Sequence, residues 1–172
     1  DSVVGNVSMG SNGNLINNGT VTGNLTVSSG ITNNAGAVTG NTTVSAPGIL
    51  NLNAGTDLSN TGSLTVNGGN LNVNANETVG SFSGTGGTVT IAVGQGLVTG
   101  GAANTTFSGT LSGGGVLGHA GSGSLTLDGP AGGFTGVISS SNATGQVNIN
   151  SATGAIGVFA TSGGAIASDG GN

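Results

Sequence analysis

Eleven residues, Asn17 to Val27 (NNGTVTGNLTV), return as Asn34 to Val44 (NAGAVTGNTTV) at an offset of 17, with eight of eleven positions identical. A unit this short cannot bury a core of its own, so it must be stacked on copies of itself. The period accommodates three short strands joined by three turns. Strand alternation then turns Val21, Gly23, Leu25 and Val27 inward and Thr22, Asn24, Thr26 and Ser28 outward. Stacking sets Val21 against Val38, Val27 against Val44 and Asn24 over Asn41, where side-chain amides can hydrogen-bond along the stack.

The rule of alternation continues while the period loosens. Ile49–Asn53, Ser63–Asn67, Asn70–Asn74, Thr88–Val93, Ser124–Leu127 and Gln146–Asn150 all read as period-two strands, and Ala155–Phe159 extends the pattern to Ala167. Asn, Ala or Gly follows the earlier of these strands, at positions where a left-handed turn is expected. Glycine interrupts nearly every segment and nothing repeats at 3.6 residues, so no helix is expected. A second repeat is carried by the four phenylalanines, Phe82, Phe107, Phe134 and Phe159, spaced 25, 27 and 25 apart, the first three in the settings FSG, FSG and FTG. Their spacing suggests rings lying one above another inside a solenoid.

The run Thr78 to Gly136, with SFSGTGG, TFSGTLSGGGVL and GSGSLTLDGPAGGFTG, resembles the strand repeats of autotransporter passenger domains. It departs from them at Leu117–Ala120, where that family usually has a lysine and a threonine, and at Phe134, where it often has tyrosine. The resemblance implies a right-handed parallel β-helix exposed on the surface of a Gram-negative bacterium.

Charge excludes several partners. The chain has no Lys or Arg, and its formal charge of −5 comes from Asp1, Asp57, Glu77, Asp128 and Asp169. Phosphates cannot be neutralised by side chains, so neither nucleic acid nor an anionic membrane surface is an expected partner. No apolar run is long enough to insert in a membrane as a helix. With no cysteine, neither a disulfide nor a thiolate metal site is available, which fits an exported protein. A mean hydropathy of +0.23, with Val, Leu, Ile and Ala in alternating settings, argues for a folded chain.

Residues with chemical potential are few. His119, the single histidine, could be paired with Asp128 and one of many serines, but no G-x-S-x-G elbow is present. Five scattered acids without Trp or Tyr do not make a glycosidase site. Asp57 and Asp128 are isolated, unlike the repeated aspartates of calcium-binding solenoids, and read as turn residues. Gly84–Gly87 and Gly113–Gly115 lack the Lys and Ser/Thr of a phosphate loop and read as turns. Asn-x-Ser/Thr at Asn6, Asn18, Asn24, Asn41, Asn76, Asn104 and Asn142 is compatible with solvent-facing positions or glycosylation. Outward rows such as Thr22/Thr39 and Thr26/Thr43 permit a face for ice or glycan, but the rows are expected to lose register after Pro47.

The expected fold is therefore all-β, a single right-handed parallel β-solenoid of roughly seven to nine coils over residues 1–167, with a polar tail at 168–172. At about 4.8 Å per coil the rod is about 35 to 45 Å long. The expected function is that of a non-enzymatic extracellular protein of the bacterial cell surface: a stalk, adhesin scaffold or self-assembling fibre subunit. No polar cap is evident at either end of the repeat, so the expected partners are the chain itself, head to tail, or neighbouring solenoid segments. A surface glycan is a further candidate partner, no cofactor or metal is called for, and no catalytic residue is assigned. The alternative is a binding module that recognises glycans or ice through outward Thr/Asn rows.

Overall fold

Outward polar and inward apolar residues alternate along strands such as Leu25–Val27, Ser124–Leu127 and Gln146–Ile149, and stacking those strands in parallel removes the apolar face from water. The computed structural model describes residues 2–131, 133–150 and 158–168. Over them the chain is an all-β solenoid of about 8 turns with no helix. Each full turn lays one strand on each of three sides. The first side runs from Ser2–Val3 through Thr20–Val21, Ala37–Val38 and Asp57–Leu58, then from Glu77–Val79 through Gly96–Thr99, Val116–His119 and Val137–Ser140 to Val158–Thr161. The second begins at Val7–Met9, Leu25–Val27 and Thr42–Ser45 and ends at Gln146–Ile149 and Ala165–Ser168. The third begins at Asn14–Asn17, Ile31–Asn34 and Ile49–Leu52 and reaches Gly133–Phe134.

The short repeat sets the register as expected. Val21 pairs with Val38 and Val27 with Val44, and these side chains are buried together with Leu25. Thr22 and Asn24 face solvent. Each such Val or Leu, fully buried, contributes about 1.5–3 kcal/mol, and the core repeats them coil after coil. Coil length is not constant, however: Thr20 lies over Ala37, 17 residues on, whereas Gly84 lies beside Phe107, 23 residues on.

That variation breaks the expected phenylalanine stack after its first pair. Phe82 and Phe107 both point inward from the second side, their ring centroids 4.7 Å apart and their planes tilted by 39°. Phe134 lies on the third side, in Gly133–Phe134 against Ser112 and Gly113. Phe159 lies on the first side over Ile138 and is 46% exposed. A step of 25 to 27 residues exceeds the coil, so each later ring advances around the rod instead of returning to its column.

The corners also differ from expectation. The segments expected as two strands, Ser63–Asn67 and Asn70–Asn74, form one strand, Ser63–Val73, and Gly84–Gly87 is a bend inside the strand Ser81–Ile91. Gly87 turns this corner at φ +85°, and a Cβ there would collide with the carbonyl oxygen of Gly69 in the coil below. Among the described residues every positive φ belongs to glycine, so the asparagines that follow strands do not take left-handed turns. Asn53 and Asn67 instead accept hydrogen bonds from the next coil, from the Asn74 amide at 3.3 Å and the Thr85 N–H at 3.1 Å. The last described strand ends at Ser168, which the sequence assigned to the tail; the rest of that tail, and Ala155–Gly157, lie outside the described residues.

Candidate functional site

An outward hydroxyl column runs along the second side from Ser8 to Thr126, and Asn148 and Ala167 occupy its last two positions. Ser8 pairs with Thr26, Thr26 with Thr43, Thr43 with Thr65, and Thr65 with Ser83. The pairing of Gly84 with Phe107 places Ser83 next to Thr106, and Thr106 pairs with Thr126, which pairs with Asn148. The Thr26/Thr43 row thus does not lose register after Pro47. The Thr22/Thr39 row does stop. Ser59 follows the paired Leu58, and the first side then breaks between Asp57–Leu58 and Glu77–Val79. Sequence reasoning missed Thr65, Ser83, Thr106 and Thr126, although a local signal was present. Thr65, Ser83 and Thr126 are each the middle residue of a triplet with a buried residue on both sides, LTV at 64–66, FSG at 82–84 and LTL at 125–127, whereas Thr106 has a buried neighbour only at Phe107.

Asparagine plays two roles that the sequence did not separate. At the start of second-side strands its side chain caps the coil above: Asn6 Oδ1 accepts from the Asn24 N–H at 2.9 Å, Asn24 from Asn41 at 2.8 Å, and Asn41 from Ser63 at 2.9 Å. Asn104 serves Ser124 in the same way at 2.9 Å, and on the first side Asn76 serves Gly96 at 2.8 Å. Asn24 over Asn41 is therefore a side-chain-to-backbone rung, not an amide pair. The amide ladder lies on the third side instead, where Asn33 donates to Asn14 at 3.0 Å, Asn51 to Asn33 at 2.8 Å and Asn72 to Asn51 at 2.8 Å.

The two residues considered for chemistry are not brought together. His119 is buried inside the first side, between Thr99 and Ser140 in the stack. Its Nε2 bonds the Gly123 carbonyl at 2.8 Å, while Nδ1 is buried without a partner. Asp128 is exposed just beyond the strand Ser124–Leu127. The histidine is a core residue anchored to its own turn.

The break in the first side is bridged by a carboxylate. Glu77 is 6% exposed, and its Oε2 accepts from the Leu58 N–H at 3.1 Å while Oε1 accepts from the Thr78 N–H at 2.9 Å. Burial pushes its carboxyl above the ordinary value of 4.5; the two backbone donors oppose that rise and the neighbouring Asp57 adds to it. A recess of about 300 Å³ opens beside it, lined by Thr56, Asp57, Asn60 and Thr78 among others. Among the described residues no three His, Asp or Glu side chains form a metal-holding group, and no helix is long and apolar enough to cross a membrane. Comparison with family models, curated proteins and solved structures gave no significant match.

Proposed function

We propose that this is a non-enzymatic extracellular structural protein of the bacterial cell surface, similar to an autotransporter passenger domain, that serves as a stalk or adhesin scaffold. The supporting observation is the continuous core: from Val21 to Ile149 every coil buries Val, Leu, Ile or Phe against the next. Eight coils at about 4.8 Å give a rod about 38 Å long, and the sequence is spent on holding that shape. The repeats of Thr78–Gly136 support the passenger-type reading. Parallel ladders also allow strand addition, so a fibre subunit stacked on further copies is the second form of the same reading.

Negative-stain electron microscopy across a concentration series separates the two forms. Single short rods at every concentration support the stalk, uniform filaments one solenoid wide support the fibre, and irregular particles count against both. Antibody labelling of intact native cells tests location. Labelling seen only after lysis rejects the surface assignment.

A further inference from the structure

The column on the second side has no evident part in holding the rod together. Its inward neighbours form the core and its capping asparagines join coil to coil, but the outward hydroxyls of Ser8, Thr26, Thr43, Thr65 and Thr106 make no side-chain hydrogen bond among the described residues. Only Thr126 of the column is engaged, by Asn148 at 3.4 Å. The third side contrasts with this, because there the amides of Asn14, Asn33, Asn51 and Asn72 satisfy one another. The third side ties its asparagine column together, whereas the second side holds an almost unbonded hydroxyl column out to solvent.

We propose that the second side is a docking face for a crystalline water lattice, an ice surface. The strands of this side contain no charged residue, and Asp128 stands just beyond one of them, so the face matches an uncharged partner although the chain as a whole is acidic. The parallel ladder repeats the hydroxyls at about 4.8 Å, and the seven rungs from Ser8 to Thr126 span about 29 Å. Five of the seven hydroxyls belong to threonine, which sets a methyl group beside them. Its branched side chain, half-buried at Thr26, Thr43, Thr65 and Thr126 and exposed at Thr106, is stiff at χ1.

These features favour a rigid periodic partner over a soluble one. A hydroxyl that bonds a ligand gives up a bond to water, so each rung gains little on its own. A flexible glycan would also lose conformational freedom at every residue it aligns, and this face offers no Trp or Tyr platform for stacking. A lattice is already ordered. Many small contacts then add after a single immobilisation cost, as in any multivalent attachment.

The test is ice-affinity partition of the intact chain, with far-UV circular dichroism to verify the fold of each variant. Wild type is expected to concentrate in slowly grown ice. Thr65→Tyr, in the middle of the column, should lower the ice-bound fraction about tenfold or more, because one protruding ring holds neighbouring rungs off the lattice. Thr88→Tyr, on the third side, should partition like wild type. If Thr65→Tyr does not fold, Thr106→Tyr serves, since Thr106 is already exposed. Exclusion of wild type from ice overturns the proposal, as does an equal response to the second-side and third-side changes. Binding to an insoluble polysaccharide powder with no entry into ice overturns it in favour of a glycan face.

Discussion

Replacing Phe82 with alanine is expected to cost about 3–5 kcal/mol, the range for deleting a large buried aromatic side chain. Phe82 is fully buried and its ring lies 4.7 Å from that of Phe107. The same change at Phe159 removes a side chain that is 46% exposed, on another side of the rod, and should cost about 1 kcal/mol or less. The tilted ring pair adds a coupling of about 0.5–1.5 kcal/mol that a Phe82→Leu/Phe107→Leu double-mutant cycle isolates. With no Trp or Tyr to report, urea unfolding is followed by far-UV circular dichroism. At slopes of about 1–3 kcal/mol per molar, the Phe82→Ala midpoint falls by about 2 M. Each coil meets only its neighbours, so hydrogen exchange in Ser81–Ile91 and Thr105–Phe107 gives a local reading if unfolding is not all-or-none. Equal costs at Phe82 and Phe159, or zero coupling between Phe82 and Phe107, would refute the placement of the rings.

Glu77 gives the chain an unusual pH dependence. Its folded-state pKa lies above 4.5, so the folded chain holds the proton more tightly than the unfolded one. The associated stability is present below about pH 4.5 and is lost as pH rises through the folded-state value. Thermal melting from acid to neutral pH should show this fall, and Glu77→Gln should flatten it; an unchanged slope in the variant rejects the assignment. Asn51→Ala breaks the amide bonds to Asn33 and Asn72, a loss of about 1–3 kcal/mol at about 0.5–1.5 each, whereas the same change at exposed Asn74, whose single side-chain bond to Asn53 is 3.3 Å long, should cost about 1 kcal/mol or less by urea titration. Gly87→Val forces a β-branched residue to φ +85° against the Gly69 carbonyl and should destabilise by about 3 kcal/mol or more, whereas Thr85→Val, which loses only the exposed 3.3 Å bond from its hydroxyl to Asn67, should cost about 1 kcal/mol or less.

The sequence by itself determined the class of fold and the direction of the side chains in its regular repeat, although not in strands such as Ile31–Asn34, where Thr32 and Asn34 are buried and Ile31 is exposed. Alternation has a period of two within one strand, so Val21, Leu25 and Val27 are assigned inward without knowledge of any other strand. The 17-residue repeat likewise fixed Val21 over Val38, because both coils have the same length. Charge was equally legible, since it needs only a count. Tertiary structure decided what depends on coils of unequal length. The corner segments change from coil to coil, so spacing along the chain stops reporting which residues lie above one another. Phe134 and Phe159 leave the expected column for that reason, and Thr65, Ser83, Thr106 and Thr126 join the hydroxyl column for the same reason. Whether an asparagine bonds an amide or a backbone N–H depends on its place along the strand relative to the coil below. Glu77 could be recognised as a bridge only once the first side was seen to break between Leu58 and Glu77, a gap between coils that leaves no mark on either local sequence.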